Sequence, residues 1–186
     1  MARFDFLPTP IAGLMVVQRH RLEDRRGFLS RFYCAEEFKT TGMLQSIVQI
    51  NHTLTRRKGA VRGLHFQRPP HAETKLVSCV HGEIFDVAVD LRKDSPTFLE
   101  WHATLISADN QRSFLIPEGF AHGFQALTDE CELIYLHSAA HEPAAEGALN
   151  ARDPRLGIAW PLEIKEISSR DRNHPLLGAE YEGIEL

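Results

Sequence analysis

The sequence is poor in cysteine and in long apolar runs, and neither sign of charge dominates it. Only three of its 186 residues are cysteine, and no two of them form a C-x-x-C pair. We therefore expect neither a disulfide framework nor a zinc knuckle. No stretch approaches the roughly 18 consecutive apolar residues that cross a bilayer. The formal net charge of −4 argues against a general nucleic-acid or membrane-surface binder.

The first eight residues also lack the apolar core of a secretory signal, because Asp5 lies where that core would be. This absence and the scarcity of cysteine predict a soluble, cytoplasmic protein. Low-complexity linkers, internal repeats and composition shifts are missing as well, so we expect residues 1–186 to form a single domain. The 43% of hydrophobic residues is enough for a sizeable core.

Strand signals are many and helix signals are few. Along residues 83–91 an apolar set alternates with a partly acidic set, which is typical of a strand with one packed face and one face open to a cavity or solvent. Further short strands are predicted at residues 15–19, 28–33, 46–53, 74–80, 100–106, 113–116, 123–127 and 132–137. Short helices are expected only at residues 35–41, ended by Gly42, and after Ser168. The pattern predicts an all-β sandwich or jelly roll, with the tail from Pro154 wrapped around it.

Ten histidines first suggest a metal site. Two segments, GLHFQ at residues 63–67 and PEGFAHG at residues 117–123, resemble the two motifs of cupins, a superfamily of small barrels. Where metal-binding cupins have three histidines and a glutamate, this chain has His65, Gln67, Lys75 and His122. A lysine ammonium repels a divalent cation and cannot ligate it without losing its proton, and glutamine is a weak ligand. We therefore expect no metal.

An ammonium beside an imidazole inside a barrel suits a different chemistry. Lys75 could stabilise an enolate while His65 removes a proton α to a carbonyl. In the alternative interpretation, Lys75 reaches the barrel rim and His65 is a hydrogen-bonded core histidine. The cupin spacing of the two residues favours the functional interpretation.

At this point the sequence resembles one cupin family, the nucleotide-sugar 3,5-epimerases typified by dTDP-4-dehydrorhamnose 3,5-epimerase. The matching blocks run in the family's order through nearly the whole chain, and they include DRRGF (24–28), VQINH (48–52), VRGLHFQ (61–67), KLV (75–77), LGIAWP (156–161) and SSRDR (168–172). The resemblance implies a cupin-like jelly-roll barrel with short peripheral helices that works as a homodimer without cofactor. The implied substrate is a nucleotide-linked 4-keto-6-deoxyhexose, with dTDP as the expected nucleotide.

The resemblance also implies a role for each catalytic residue. His65 is the base, and Asp171 orients its imidazole and stabilises the imidazolium. Tyr135 falls where the family has the acid that returns a proton to the opposite face of the sugar. Lys75 would stabilise the oxyanion that develops at carbon 4.

Further positions match substrate contacts of the family. Arg26 and Arg62 correspond to arginines that contact the diphosphate, whose oxygens a guanidinium matches in a bidentate way. The other implied substrate-binding residues are Gln49, Asn51, His122, Glu146 and Arg170.

Each of the less specific assignments has a structural alternative. Asp171 could serve only the helix N-terminus that Ser168 begins. Tyr135 lies in an apolar strand, where a buried tyrosine is usually a core residue with a satisfied hydroxyl. His122 could hydrogen-bond within the barrel without contacting substrate.

Two positions depart from the family pattern; the first leaves the nucleotide base open, and the second leaves open which substrate fits and whether one carbon or both are epimerised. Arg31 stands where the family usually has a glutamate near the nucleotide base, and His141 stands where it commonly has a tyrosine. Epimerisation at C3, at C5 or at both is compatible with the sequence. A nucleotide-sugar 3,4-ketoisomerase and a non-catalytic sugar-nucleotide binding module remain alternatives, and Lys75 argues against a metal-dependent oxygenase.

Overall fold

The computed structural model describes residues 2–42 and 46–186, and strands predominate in them. In chain order the strands are β1 (Phe4–Pro8), β2 (Met15–Arg19), β3 (Leu22–Asp24), β4 (Gly27–Leu29), β5 (Gln49–Thr55), β6 (Ala60–Gln67), β7 (Lys75–His81), β8 (Glu83–Asp90), β9 (Trp101–Ser107), β10 (Arg112–Ile116), β11 (Phe120–Ala126), β12 (Cys131–His137), β13 (Glu146–Ala148) and β14 (Glu166–Ile167). The two α-helices are α1 (Ala35–Phe38), which continues as a 3₁₀ turn at Lys39–Thr41, and α2 (Ser169–Arg172).

Two large sheets form the body of the fold. The first has the strand order β1-β2-β10-β7-β12-β5, and the second has the order β13-β6-β11-β8-β9, with β14 added beside β6. Strands β3 and β4 form a separate hairpin. Neighbouring strands of both large sheets run antiparallel, whereas β14 pairs with β6 in parallel. This arrangement confirms the predicted cupin-like jelly-roll barrel with short peripheral helices.

Both sheets bury apolar side chains on their two faces. Between the sheets lies a cluster that includes Phe114 and Phe124. A second cluster, centred on Val87, Val89 and Leu91, is covered by side chains from the tail, which include Leu156, Trp160, Tyr181 and Ile184. On the first sheet, Phe38 of α1 covers a third cluster. Burial of a large apolar side chain stabilises a fold by about 1.5–3 kcal/mol, so the tail and α1 are integral parts of the barrel.

The short helices begin and end where the sequence predicts. Gly42 ends the 3₁₀ turn with φ of 83°, a left-handed conformation that glycine adopts without strain. At the other end of the chain the Ser168 hydroxyl accepts a hydrogen bond from the backbone N–H of Asp171 at 3.0 Å and so caps α2. None of the helices in the described ranges is long and apolar enough to cross a membrane.

The strand pattern was incomplete in one important place. Strand β6 was not among the predicted strands, because residues 62–67 show no simple alternation of polar and apolar types. Its register against β11 pairs His65 with His122 and Arg62 with Phe124. Two residues of β6, at positions 63 and 64, therefore lie opposite a single residue of β11, at position 123. This β-bulge turns both Arg62 and His65 toward the same side of the sheet. Strands β1, β3, β13 and β14 were also missed, and the strand predicted at residues 28–33 ends at Leu29.

Gly63 makes the bulge sterically possible. Its φ is 119°, and a Cβ atom placed there would lie 2.6 Å from Gly123 Cα and 2.7 Å from the carbonyl oxygen of His122. Because these contacts are with backbone atoms that cannot rotate away, the two strands need glycine at this crossing.

Candidate active site

A cavity of about 840 Å³ opens between the two sheets. This is a size typical of sites for small molecules. All four predicted catalytic residues line it, together with four of the predicted substrate-binding residues: His65, Lys75, Tyr135 and Asp171, and Asn51, Arg62, His122 and Arg170. The fold therefore brings together at one place residues that are more than 100 positions apart in the chain.

The central pair of the site is His65 and Asp171. His65 Nε2 lies 2.8 Å from Asp171 Oδ1, and the backbone N–H of Gly63 donates to Oδ2 of the same carboxylate at 3.3 Å. Because a carboxylate only accepts hydrogen bonds, Nε2 of His65 carries the proton and Nδ1 retains the lone pair of a base. The Asp171 side chain is nearly buried, whereas His65 is one-third exposed. Asp171 thus orients the imidazole of His65, whose exposed part is accessible to a ligand in the cavity.

The electrostatics of Asp171 agree with this orientation. Burial alone raises the pKa of the Asp171 carboxyl, but the hydrogen bond and charge interaction with His65, helped by Gly63 and Ser168, lower it below its ordinary value. The carboxylate is therefore charged at neutral pH and lies within hydrogen-bond distance of the His65 imidazole. Asp171 also belongs to the helix that Ser168 caps, as the structural alternative predicts, and its hydrogen bond to His65 is the geometry that the catalytic interpretation requires.

Tyr135 enters the cavity from the first sheet, on β12, whereas His65 enters from the second, on β6. Burial, reinforced by the negative charge of Asp86, raises the pKa of the Tyr135 phenol well above its ordinary value. The phenol therefore stays protonated at neutral pH. Its ring packs edge-on against His122, with centroids 5.9 Å apart.

Lys75 is buried at the first residue of β7. Its Nζ donates to the carbonyl oxygen of His65 at 3.3 Å and forms an ion pair with Glu73 Oε1 at 3.1 Å. Lys75 does not extend to the barrel rim, so the alternative interpretation of this residue is wrong. Its ammonium therefore lies against the backbone of His65 and lines the same cavity.

His122 is fixed by a buried carboxylate. Its Nε2 lies 2.6 Å from Asp86 Oδ1, and Asp86 is fully buried. Burial raises the pKa of Asp86 above its ordinary value although His122 favours the charged form. The hydrogen bond within the barrel predicted as an alternative for His122 is present, and the imidazole lines the cavity as well.

Three predicted substrate-binding residues lie outside the cavity wall. Glu146 binds Arg170 and faces His141 at 3.6 Å, while Gln49 donates to Asn51 Oδ1 at 3.2 Å. Arg170 lowers the pKa of the Glu146 carboxyl against the opposing effect of burial.

Arg26 is the third of these residues, and it lies on the exposed β3–β4 hairpin, paired with Asp24 at 2.5 Å. The nearby Arg31, one of the two departures from the family pattern, pairs with Glu37 at 2.7 Å. Both arginines therefore bind carboxylates of their own chain in this structure.

The chain offers poor geometry for a metal in the usual cupin position. Gln67 is turned away, because its amide donates to the carbonyl oxygen of His71 and accepts from the N–H of Glu142. In the described ranges one other group has potential metal-binding atoms close together, namely His65, Asp171 and His174. There the His65 and Asp171 atoms are 2.8 Å apart, which is a hydrogen-bond distance. This arrangement is that of an acid–base pair.

Sequence reasoning missed three polar residues of the site, Glu73, Asp86 and His137. Asp86 belongs to the acidic set along residues 83–91, and this was the available signal. The sequence gives no such signal for Glu73 and His137, because only their contacts with Lys75 and with each other connect them to the site.

Comparison with known proteins assigns the chain to a family. The family model described as dTDP-4-dehydrorhamnose 3,5-epimerase matches residues 8–179. The dTDP-4-dehydrorhamnose 3,5-epimerase of Methanothermobacter thermautotrophicus is 43% identical over 176 residues, which are 93% of this chain and 94% of that protein. The dTDP-4-dehydrorhamnose 3-epimerase of Streptomyces niveus is 37% identical over 171 residues, which are 91% of this chain and 82% of that protein.

Two solved structures share the fold over nearly their whole length. The Bacillus anthracis dTDP-4-dehydrorhamnose 3,5-epimerase, with TDP and PPi bound, has a TM-score of 0.90 at 37% identity and covers 94% of this chain and 99% of its own. The Legionella pneumophila dTDP-6-deoxy-D-glucose-3,5-epimerase, in complex with dTDP-4-keto-L-rhamnose, has a TM-score of 0.90 at 34% identity. The match covers 98% of this chain and 99% of that one. The chain therefore belongs to the dTDP-4-dehydrorhamnose 3,5-epimerase family.

Proposed function

We propose that the protein epimerises C3, C5 or both of a dTDP-linked 4-keto-6-deoxyhexose without a cofactor. One observation carries this proposal: His65 and Tyr135 enter the same cavity from opposite sheets. Inversion of a carbon requires a base on one face of the sugar ring and an acid on the other. The family relationship supports the substrate class.

The remaining residues supply what the intermediate needs. Carbons 3 and 5 flank the ketone, so removal of either proton produces an enolate whose charge rests on the oxygen at carbon 4. The buried ammonium of Lys75 stabilises this oxygen, and it costs little reorganisation because Glu73 and the His65 carbonyl already hold it. His65 takes the proton while Asp171 stabilises the resulting imidazolium. Tyr135 then delivers a proton from the opposite side.

The nucleotide end is assigned by charge. Arg62 lines the cavity next to His65 through the β6 bulge, where its guanidinium suits a diphosphate. Arg170 is a second cation at the cavity, while Gln49 and Asn51 on β5 offer polar contacts. His122 and Glu146 complete the proposed set of substrate-binding residues.

We include a homodimer in the proposal, since Arg26 does not line the cavity of its own chain and lies on an exposed hairpin. Phe28 and Leu29 of that hairpin are 57% and 59% exposed, and Ile50 on the edge strand β5 is 65% exposed. Exposed apolar side chains and exposed edge strands are both typical of protein interfaces. In the proposed dimer, Arg26 of one subunit serves the diphosphate of its partner's site.

A mixing experiment tests the shared site. Inactive Arg26→Ala and His65→Ala chains are unfolded, mixed and refolded together. If Arg26 acts on the partner's site, half of the dimers are mixed and each has one intact site, so about a quarter of the wild-type activity returns. No recovery in a sample shown to be dimeric by light scattering excludes the shared site.

Solvent exchange tests the reaction itself. The protein is incubated with dTDP-4-keto-6-deoxyglucose in deuterated water, and proton NMR follows the signals at C3 and C5. We expect deuterium at each epimerised carbon, so that the experiment also counts the reactive centres. His65→Ala is expected to abolish exchange and keep the far-UV circular dichroism of the wild type.

The outcomes separate the alternatives. A product with its ketone at carbon 3 identifies a 3,4-ketoisomerase, and tight binding of dTDP without exchange identifies a binding module. Exchange at C3 alone identifies a mono-epimerase, and His141 is then the first residue to replace by tyrosine. We further propose that residues 1–186 act as a single domain in the cytoplasm, in keeping with three cysteines that are all free thiols.

A further inference from the structure

Glu73 lies directly beside the ammonium of Lys75 although it belongs to none of the matching motifs. One carboxylate oxygen, Oε1, is 3.1 Å from Lys75 Nζ, and the other, Oε2, is 2.7 Å from His137 Nδ1. The side chains of Glu73, Lys75 and His137 are 9%, 8% and 11% exposed, respectively. Burial of a carboxylate is costly unless charged or polar partners satisfy it, and here each oxygen has its own partner.

The sheet register builds this cluster. His137 on β12 is paired with Gln49 of β5 on one side and with Lys75 of β7 on the other. Residues directly opposite one another in adjacent strands project from the same face of a sheet. The three side chains therefore follow one row across the first sheet, and Glu73 precedes that row in the chain.

The hydrogen bonds continue along this row to the residues proposed to contact the nucleotide. His137 donates its Nδ1–H to Glu73, so its Nε2 is the acceptor that faces Asn51 Nδ2 at 3.3 Å. Asn51 Oδ1 in turn accepts from Gln49 Nε2 at 3.2 Å. A continuous path thus connects Gln49 to Lys75 through Asn51, His137 and Glu73.

We propose that Glu73 and His137 are positioning residues that hold the Lys75 ammonium against the substrate's carbonyl oxygen and connect it to the nucleotide-contacting strand β5. The proposal rests on the function proposed above. An ammonium has three hydrogens. Among the described residues, Glu73 and the His65 carbonyl accept two of them, which leaves the third for the substrate.

The charge state of Glu73 supports this role. Burial raises the pKa of the Glu73 carboxyl, but the hydrogen bond from His137 and the charge of Lys75 outweigh it and lower the pKa below its ordinary value. A negative Glu73 fixes the direction of the ammonium more firmly than a neutral acceptor does, since hydrogen bonds between charged groups are about twice as strong as neutral ones.

The chain contains a matched control on the same two strands. His52 of β5 and Glu132 of β12 form a similar histidine–glutamate contact, 2.8 Å long, but on the solvent side of the sheet. Glu73→Gln and Glu132→Gln therefore make the same chemical change in the buried cluster and on the solvent side of the sheet. Both variants keep the size of the side chain and one carbonyl acceptor.

Steady-state kinetics with dTDP-4-keto-6-deoxyglucose test the proposal, with dTDP binding measured by calorimetry. We expect Glu73→Gln to lower kcat by about tenfold or more, as for loss of one charge-assisted hydrogen bond, while KM and the Kd of dTDP stay within about twofold. Glu132→Gln should leave all three values unchanged. An unchanged kcat in folded Glu73→Gln overturns the proposal, and so does a rise of KM without a fall of kcat.

Two further measurements keep the test decisive. If Glu73→Gln does not fold, His137→Asn replaces it, and the same split between kcat and KM supports or overturns the proposal. In addition, the ¹⁵N resonance of Lys75 Nζ in substrate-free protein should move in Glu73→Gln and not in Glu132→Gln. Absence of turnover in the wild type refutes the proposed function, whereas an unmoved resonance refutes the positioning role by itself.

Discussion

Replacement of Asp171 by asparagine tests the central pair of the site with almost no change of shape. The backbone N–H of residue 171 still binds the Ser168 hydroxyl, so the cap of α2 is retained. The amide oxygen remains available to the N–H of Gly63, which leaves the NH₂ group facing His65 Nε2. Because that NH₂ donates, Nε2 must become the acceptor and the proton moves to Nδ1. The nitrogen that should take the substrate's proton is then already protonated.

The loss of rate follows from the 2.8 Å contact. A hydrogen bond to a charged group is worth about 1.5–3 kcal/mol, and 1.36 kcal/mol corresponds to a factor of ten. Asp171→Asn should therefore slow deuterium exchange by about 10- to 150-fold from this interaction alone. The wrong tautomer adds to the loss. The binding of dTDP should not change, since the diphosphate residues are untouched.

The assay is the NMR exchange experiment at neutral pH, with the thermal midpoint measured in parallel. Asp153→Asn is the matched control, because Asp153 is buried and accepts backbone N–H groups in the tail without lining the cavity. It should lower the midpoint and leave the exchange rate of the folded protein unchanged. An Asp171→Asn variant that exchanges within about twofold of the wild type refutes the argument, since about 0.4 kcal/mol is too little for a charge-assisted bond.

Three further predictions concern the acid, the loop after β8 and the bulge. Tyr135→Phe should keep the deuterium exchange catalysed by His65, while inversion of the sugar carbon slows by about 10²–10⁴-fold, as expected for loss of a general acid. Equal loss of exchange and inversion in the NMR assay contradicts separate roles for His65 and Tyr135. Asp90 has its pKa lowered to about 2 because bonds from Arg92, Ser95 and Thr97 outweigh burial. Asp90→Asn should cost about 2 kcal/mol in urea unfolding at pH 7. A carboxyl whose pKa is lowered by folding stabilises the folded state at pH values above its ordinary pKa. The difference in unfolding free energy between wild type and Asp90→Asn should therefore disappear as the pH falls from 4 toward about 2. A difference that persists at about pH 2 contradicts this assignment. Gly63→Ala should lower the unfolding free energy by about 1–3 kcal/mol more than Gly27→Ala. Gly27 also has a positive φ, 130°, but a Cβ atom there would meet nothing within 4 Å. Equal losses would show that backbone strain alone matters and that the steric contact at Gly63 does not.

Much of the fold could be predicted because periodic alternation survives wherever one face of a strand meets the core. Strand β8 was predicted at residues 83–91 and observed at Glu83–Asp90, and Gly42 and Ser168 marked helix ends through local backbone chemistry. Strand β6 was missed because its inner face carries the chemistry of the site and its bulge breaks the period of two. The most informative strand for function was thus the least visible to periodicity.

The site residues divide along a similar line. His65 and Lys75 were candidates from their chemistry at the spacing of the cupin motifs. Asp171 and Tyr135 needed the closer resemblance to the epimerases, since each has an ordinary structural role in its local context. All four line one cavity. Glu73 and His137 could not be predicted by either route, because a buried carboxylate that bridges Lys75 and His137 exists only once strands β7 and β12 are paired.

The position of Asp171 in the tail has a consequence for the thermal limits of the protein. The carboxylate is carried by a four-residue helix that follows a two-residue strand, and only a few side chains bind this segment to the second sheet. Segments with few buried contacts open at lower free energy than the whole molecule. On warming, this short segment should therefore open while the rest of the tail stays packed on the barrel, and His65 then loses its partner. We therefore expect heating to abolish activity before it melts the barrel.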